Sequence, residues 1–199
     1  MPIKLIKSVA LFGREVLSNP VTTGAICPSS PFLSAKVASF IDRSRPGWVV
    51  ELGAGTGVVT RALLDHGVPP ERLVSIEMSA SLASHLREQF PDTQIIEGNA
   101  MELQSIVDRV SGKRDSKVDY VVSSLPFRSL PNDVSHQIVS QIKQVIGKTG
   151  ELIQFTYDLR PREFAPFAGL KRCQSSIVLM NVPPARVDRF RVNGLASEP

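Results

Sequence analysis

The stretch from Trp48 to Leu64 reads WVVELGAGTGVVTRALL, and its three parts follow three different patterns. Trp48 to Leu52 is a short apolar run broken only by Glu51, the length of a buried strand. Gly53 to Gly57 alternates glycine with Ala54 and Thr56. Gly53, Gly55 and Gly57 permit positive φ and a close approach of backbone to a ligand. Val58 to His66 reads as an amphipathic helix, whose first N–H groups have no partner inside the helix. A buried strand passing into a helix through a glycine turn is the unit of an open parallel α/β sheet. The ligand crevice of such a sheet opens at that turn.

The ligand follows from the charges around the turn. The spacing is G-x-G-x-G, with Val58 where a dinucleotide fingerprint needs glycine. Glu51 stands two residues before the first glycine, an awkward neighbour for a pyrophosphate and a suitable one for a cation. Glu77 ends the next apolar run, LVSIE, twenty residues after Gly57, where a carboxylate accepts both hydroxyls of a ribose. S-adenosyl-L-methionine carries an ammonium, a sulfonium, a ribose and no phosphate, so it fits both acids. Its product would be S-adenosyl-L-homocysteine. For the glycines alone, a tight turn without a ligand is the alternative. The stretch resembles motif I and the following acidic motif of the class I methyltransferases.

The 199 residues suit one domain with a full core, and 42% hydrophobic with 21% charged residues is an ordinary balance for a globular chain. No apolar run approaches the roughly 18–20 residues of a membrane span. Two cysteines, Cys27 and Cys173, give no disulfide framework, and a reduced, cytoplasmic setting is the default. No metal-ligand spacing is present. A formal charge of +4 allows an anionic partner, either nucleic acid or an anionic membrane face.

Residues 1–18 form a unit of their own. Leu5, Ile6, Val9, Phe12, Val16 and Leu17 fall near helical periodicity, with Lys4, Lys7, Ser8, Arg14 and Glu15 on the polar side. Short, basic and amphipathic is the pattern of an interfacial helix. The alternative is a helix packed on its own domain as a lid. Residues 19–199 read as a single domain. Asn19 to Phe32 is a proline-rich loop. In it Ser29 or Ser30 is placed to cap the helix Phe32 to Ile41, or to close over the methionine end of the cofactor.

Strands and helices then alternate. Strands are expected at Leu73–Glu77, Gln94–Glu97, Val118–Ser123 and Glu151–Tyr157. Helices are expected at Ala80–Phe90 with Ser79 as cap, at Met101–Val110, and at Asn132–Ile146 with Asn132 or Asp133 as cap. Such alternation gives a doubly wound, right-handed sheet. Ser175–Val182 and Ala185–Val192 read as a terminal antiparallel hairpin, completing a seven-stranded, mostly parallel, Rossmann-like methyltransferase sheet. Asn99 and the Ala100 N–H are candidates for the adenine edge, with Met78 on its face; a plain turn is the alternative for Asn99. Arg160, Arg162, Lys171, Arg172, Arg186, Arg189 and Arg191 make the last third basic, either as a solvated rim or as a phosphate site.

A methyl acceptor would pass Ser123 to Phe127 at the end of the fourth strand. SSLPF there resembles the Asn-Leu-Pro-Tyr loop of the rRNA adenine dimethylases, with Ser123 in place of Asn and Phe127 in place of Tyr. The added helical RNA-binding domain of those enzymes is lacking. GAICPSSPFLSAKVA, VVELGAGTGVVTRALL, SSLPF, ELIQFTY and MNVPPARV together resemble the short, peripheral bacterial phosphatidylethanolamine N-methyltransferases, over residues 19 to 192. The closely similar ornithine-lipid N-methyltransferases are hard to separate from these. The resemblance implies methylation of a phospholipid head-group amine toward phosphatidylcholine. It also implies a basic amphipathic N-terminus (Lys4, Leu5, Lys7, Phe12, Arg14) on an anionic membrane, peripheral to the inner face of the cytoplasmic membrane. Neither nucleic acid nor an obligate protein partner is expected. The Leu125 carbonyl and Ser123 are expected to orient the amine, and Tyr157 to bond the amine or the phosphate. Phe127 would line the acceptor site and Arg186 would grip the phosphate. His136 is a candidate base, or simply a surface histidine.

Overall fold

A computed structural model describes residues 29–112 and 117–193. The expected interfacial helix, with Lys4, Leu5, Lys7, Phe12 and Arg14, lies outside the described residues.

Helices α1 (Pro31–Ala38), α2 (Val58–Asp65), α3 (Ala80–Gln89), α4 (Leu103–Ser111) and α5 (Asn132–Ile146) alternate with strands β1 (Trp48–Leu52), β2 (Leu73–Glu77), β3 (Gln94–Glu97), β4 (Val118–Ser123) and β5 (Glu151–Thr156). Strands β6 (Leu170–Val178) and β7 (Ala185–Val192) follow. The seven strands lie in the order β3-β2-β1-β4-β5-β7-β6. The first five are parallel, and β7 runs antiparallel to both β5 and β6.

The sheet is covered on both faces, which is why β2 and β4 are buried along their whole lengths. On one face Leu52, Ile76, Val121 and Leu152 pack against Leu103 and Ile106 of α4 and against Val134, Ile138 and Ile142 of α5. On the other, Val49, Tyr120 and Ile153 meet Leu33 and Val37 of α1 and Val59 and Leu63 of α2. The β1/β4 reversal point stands at the centre of the sheet, so the crevice opens at the carboxyl ends of these two strands.

Three expectations change. β6 begins at Leu170, five residues before the expected Ser175, and ends at Val178 rather than Val182. Its first half, LKRCQ, is polar because it is an edge strand with little to bury, so an apolar pattern does not mark it. Residues 179–184 leave the sheet as a turn. Helix α5 has Pro131 at its N-cap, with no side-chain cap from Asn132 or Asp133. There the Pro131 carbonyl accepts from Ser135 N–H at 2.9 Å, so Asn132 already lies within the first turn. The expected helix from Met101 opens instead with a 3-10 turn, Ala100–Glu102.

Most of the basic tail is paired within the sheet. The buried Glu151 carboxylate takes Arg191 at 2.5 Å and Arg189 at 3.5 Å. The buried Asp188 takes Arg186 at 2.9 Å and Arg172 at 3.3 Å.

Candidate functional site

The turn after β1 is held open by its glycines and tied to its neighbours. Gly53, Gly55 and Gly57 all have positive φ, 72°, 58° and 82°. A side chain at Gly53 would lie 2.9 Å from Leu125 Cδ2, so this glycine is what lets the loop after β4 close against the turn. Gly53, Ala54, Gly55 and Thr56 line one large cavity; Gly57 does not. Gly57 is the N-cap of α2 and faces Phe90 and Leu86. Its role is structural.

Glu77 ends β2 at the cavity wall, with its two oxygens held by backbone. Oε2 accepts from Gly55 N–H and Oε1 from Ser79 N–H, each at 2.9 Å. Each carboxylate oxygen keeps a lone pair for a further donor. Met78, Asn99 and Ala100 line the same wall. Asn99 Oδ1 accepts from Met101 N–H at 3.0 Å and so caps its own turn. Both expected uses of Asn99 therefore share one oxygen. An adenosine fits this set, paired acceptor oxygens at the strand end and a glycine cradle; the carboxylate behind the turn, expected to meet the cationic tail, is not part of it.

That carboxylate, Glu51, does not reach the cavity. It is fully buried, and Oε2 accepts from Thr60 Oγ1 and Ser75 Oγ, both at 2.6 Å, while Oε1 has no partner among the described residues. Burial pushes its carboxyl above the usual range, against the pull of the Ser75 and Thr60 hydroxyls. A carboxyl raised by folding stabilises fully below its ordinary pKa of about 4.3 and loses that contribution as pH climbs above it. Without cofactor, Glu51→Gln is therefore expected to flatten the fall in stability as pH rises from about 4 into the neutral range. Melting curves across that range are the test; an unchanged slope would place the pH dependence elsewhere.

Several acceptor-side residues differ from expectation. Ser30 caps α1, accepting from Leu33 N–H at 3.2 Å, and only Ser29 lines the cavity. Ser123 is 1% exposed and its Oγ accepts from Leu125 N–H at 3.2 Å; as the last residue of β4 it points inward. Ser124, the residue next to Leu125, takes its place in the wall. The Leu125 carbonyl is already engaged, by Phe127 N–H at 2.9 Å and by Gln154 Nε2 at 3.1 Å. Both of its lone pairs are used, so it is not open to an amine. Phe127 lines the cavity as expected, but its ring is buried edge-on to Phe167, 5.3 Å between centroids, and is no free stacking platform. Arg186 lines the cavity but is 3% exposed, with Nε held by both oxygens of Asp188. Its Nε is committed to this buried ion pair, which leaves Nη1, buried with no partner among the described residues, as its spare donor. His136 is exposed on α5 and outside the cavity. Tyr157 lines it.

The sequence reading missed Gln154. It lies on β5 in the same row as Leu152, 6% exposed, and lines the cavity. Nε2 donates to the Leu125 carbonyl and, at 2.6 Å, to the Phe155 carbonyl, which fixes the amide's orientation. Oε1 is then buried with no partner among the described residues. The available signal was a lone amide in the apolar run ELIQFTY. Beyond it the wall is apolar, with Leu130, Ile138, Phe164 and Leu170, and its rim carries Arg128, Arg162, Asp158 and Glu163.

Known proteins resemble this arrangement. The methyltransferase domain family matches residues 49–150. An ornithine lipid N-methyltransferase from Singulisphaera acidiphila is 30% identical over 154 residues, 76% of this chain and 79% of that relative. A ribosomal RNA small subunit methyltransferase A from Synechococcus sp. is 34% identical over 96 residues, but the match spans 46% of this chain and 31% of that relative. Among solved structures, a TehB-like S-adenosylmethionine-dependent methyltransferase from Corynebacterium glutamicum superposes with a TM-score of 0.56 at 15% identity, covering 94% of this chain and 97% of that one.

Proposed function

Because this chain belongs to the class I S-adenosylmethionine-dependent methyltransferases, we propose that it methylates the head-group amine of a membrane lipid, phosphatidylethanolamine or an ornithine lipid, from the cytoplasmic face. The observation that carries this reading is the continuity of one cavity. It runs from the glycine turn and Glu77, past Gln154, into an apolar wall rimmed by both arginines and acids. Both head groups pair an amine with an anion, phosphate in one and carboxylate in the other. A wall of mixed sign suits either. The lipid relative's similarity over most of both chains supports it further.

S-adenosylmethionine, when bound, supplies an electrophilic methyl group on its sulfonium. The protein's part is to hold the amine in line with that methyl, and positioning of this kind supplies much of the rate. Gln154 Oε1 accepts an amine N–H and aims the lone pair. Desolvation in the apolar wall favours the neutral amine. Asp158 sits at the rim, its carboxyl held below the usual range by Arg160 N–H and by Arg128. It attracts the incoming ammonium, and the proton leaves to solvent at the rim. Arg128 and Arg162 meet the head group's anion. Tyr157 lines the same cavity. Gln154→Leu is expected to lower kcat about 30-fold, the loss of one hydrogen bond to the nitrogen as it gains positive charge in the transition state, about 2 kcal/mol, with cofactor affinity unchanged. A kcat within twofold of the parent would remove Gln154 from the mechanism.

The substrate is tested by transfer of labelled methyl to vesicles of phosphatidylethanolamine with an anionic lipid, to ornithine lipid, and to unmodified rRNA. Label in the first or second chooses the head group. Label in RNA overturns the lipid reading. Similarity to the rRNA enzyme favours that second reading, and the buried Phe127 ring weighs against it.

A further inference from the structure

We propose that the turn between β6 and β7 is an apolar prong that inserts into an anionic bilayer and docks the cavity mouth on it. The inference rests on the lipid reading above for its biological meaning, though not for its test. Large apolar side chains are exposed at only seven positions among the described residues. Four of them fall within six residues here: Ile177 at 52%, Leu179 at 74%, Met180 at 65% and Val182 at 80%. Concentration of this kind marks a contact surface, whereas scattered apolar exposure marks nothing.

The turn is built to present them. Asn181, between Met180 and Val182, is 1% exposed. Its Oδ1 accepts from Ser30 N–H at 2.9 Å and its Nδ2 donates to the Pro183 carbonyl at 2.6 Å. Ser30 Oγ also donates to the Met180 carbonyl at 3.4 Å. The polar side chain is inside and the apolar ones are outside, the reverse of a core.

The prong also stands in the right place. β7 is antiparallel to β5, with Arg186 opposite Thr156, so the turn entering β7 lies at the end of the sheet where β5 delivers its side chains to the cavity. Arg186 and Asp188, just after the turn, line that cavity, as does Ser29, the neighbour of its anchor Ser30. The cavity's lining also includes the exposed Arg128 and Arg162, which suit anionic head groups. The 28 residues before Ser29, with Lys4, Lys7 and Arg14 among apolar positions, join the described chain at that same anchor. Apolar insertion beside basic side chains is the chemistry of an interfacial contact. A bilayer is the occupant that accounts for both. It would also bring a lipid head group to the mouth without removing the lipid from the membrane.

The test uses the full chain and vesicles of phosphatidylcholine with phosphatidylglycerol. Leu179→Ser/Val182→Ser, which leaves Asn181 and the cavity untouched, is expected to lower the vesicle partition coefficient at least tenfold in sedimentation, with an unchanged melting temperature. Leu179→Trp adds an indole to the turn, with Trp48 of the parent as baseline. Brominated lipid is expected to quench the added indole and not Trp48. Undiminished partitioning of the double variant overturns the proposal. So does an added indole already shielded from water without vesicles and unaffected by them, which would mean that the 1–28 segment or a second copy covers the turn. Transfer to a dihexanoyl lipid below its micelle concentration separates the two claims. Intact transfer there with lost transfer on vesicles supports docking. No transfer to any lipid, with prong-dependent vesicle binding, rejects the lipid substrate and keeps the docking surface.

Discussion

Glu77→Ala is expected to weaken S-adenosylmethionine binding by at least tenfold, about 1.4 kcal/mol, and to do so twice over. The carboxylate is placed to take the ribose hydroxyls directly. It also accepts from Gly55 N–H and Ser79 N–H, and so holds the turn after β1 to the end of β2. Alanine leaves both of those donors unpaired, each costing about 1–3 kcal/mol where water does not reach. The affinity loss should therefore come with a fall in melting temperature of the ligand-free protein. Calorimetric titration with S-adenosylhomocysteine measures the first and a melting curve the second. An affinity within twofold of the parent would move the ribose contact elsewhere.

Gly57→Ala is expected to act on stability instead. The residue has φ +82°, and an added Cβ would lie 2.5 Å from Phe90 Cε2 and 2.8 Å from Leu86 Cδ2. Strain at positive φ costs about 1–3 kcal/mol, and overpacking a buried contact adds about 1–3 kcal/mol. For a chain of this size the sum lowers the melting temperature by roughly 5–20 °C. Gly55 is the control. Its φ of +58° carries the same backbone strain, but its added Cβ would meet nothing closer than 4.0 Å, so Gly55→Ala should melt above Gly57→Ala by the overpacking contribution alone, about 1–3 kcal/mol, while losing cofactor affinity, because Gly55 lines the cavity. Equal melting temperatures for the two variants would remove the distinction between a cradle glycine and a packing glycine.

The parallel half of the sheet was legible because its strands are apolar on both faces and each is followed by a turn signal. The glycine turn and Glu77 were legible because their spacing is fixed by the strand-turn-helix unit. Edge strand β6 was not, since a strand with little to bury carries little pattern. Among site residues, burial and pairing decided what the sequence left open. Arg186 and Asp188 are two apart on one strand and so share a face, a spacing that announces an ion pair, yet the run of arginines around them drew the reading toward a phosphate. Ser123 and Ser124 differ only in parity at the end of β4, and parity sends the first into the core. Whether the Leu125 carbonyl was available depended on Gln154, 29 residues later, a contact that only the folded chain makes.

The sheet order has a consequence for how the enzyme is made. β7 follows β6 in sequence but sits inside it, between β6 and β5. During synthesis the five parallel strands and their helices are complete once β5 has emerged, and the cofactor end of the cavity can form then. β6 has no place to pair until β7 arrives, so its polar segment waits as an unpaired chain that exposes little apolar surface to aggregation. The acceptor wall with Arg186 and Asp188, and the apolar turn before it, are assembled in one late step. A nascent chain would thus complete the end of the cavity formed by the glycine turn and Glu77 before it completes the wall carried by β7.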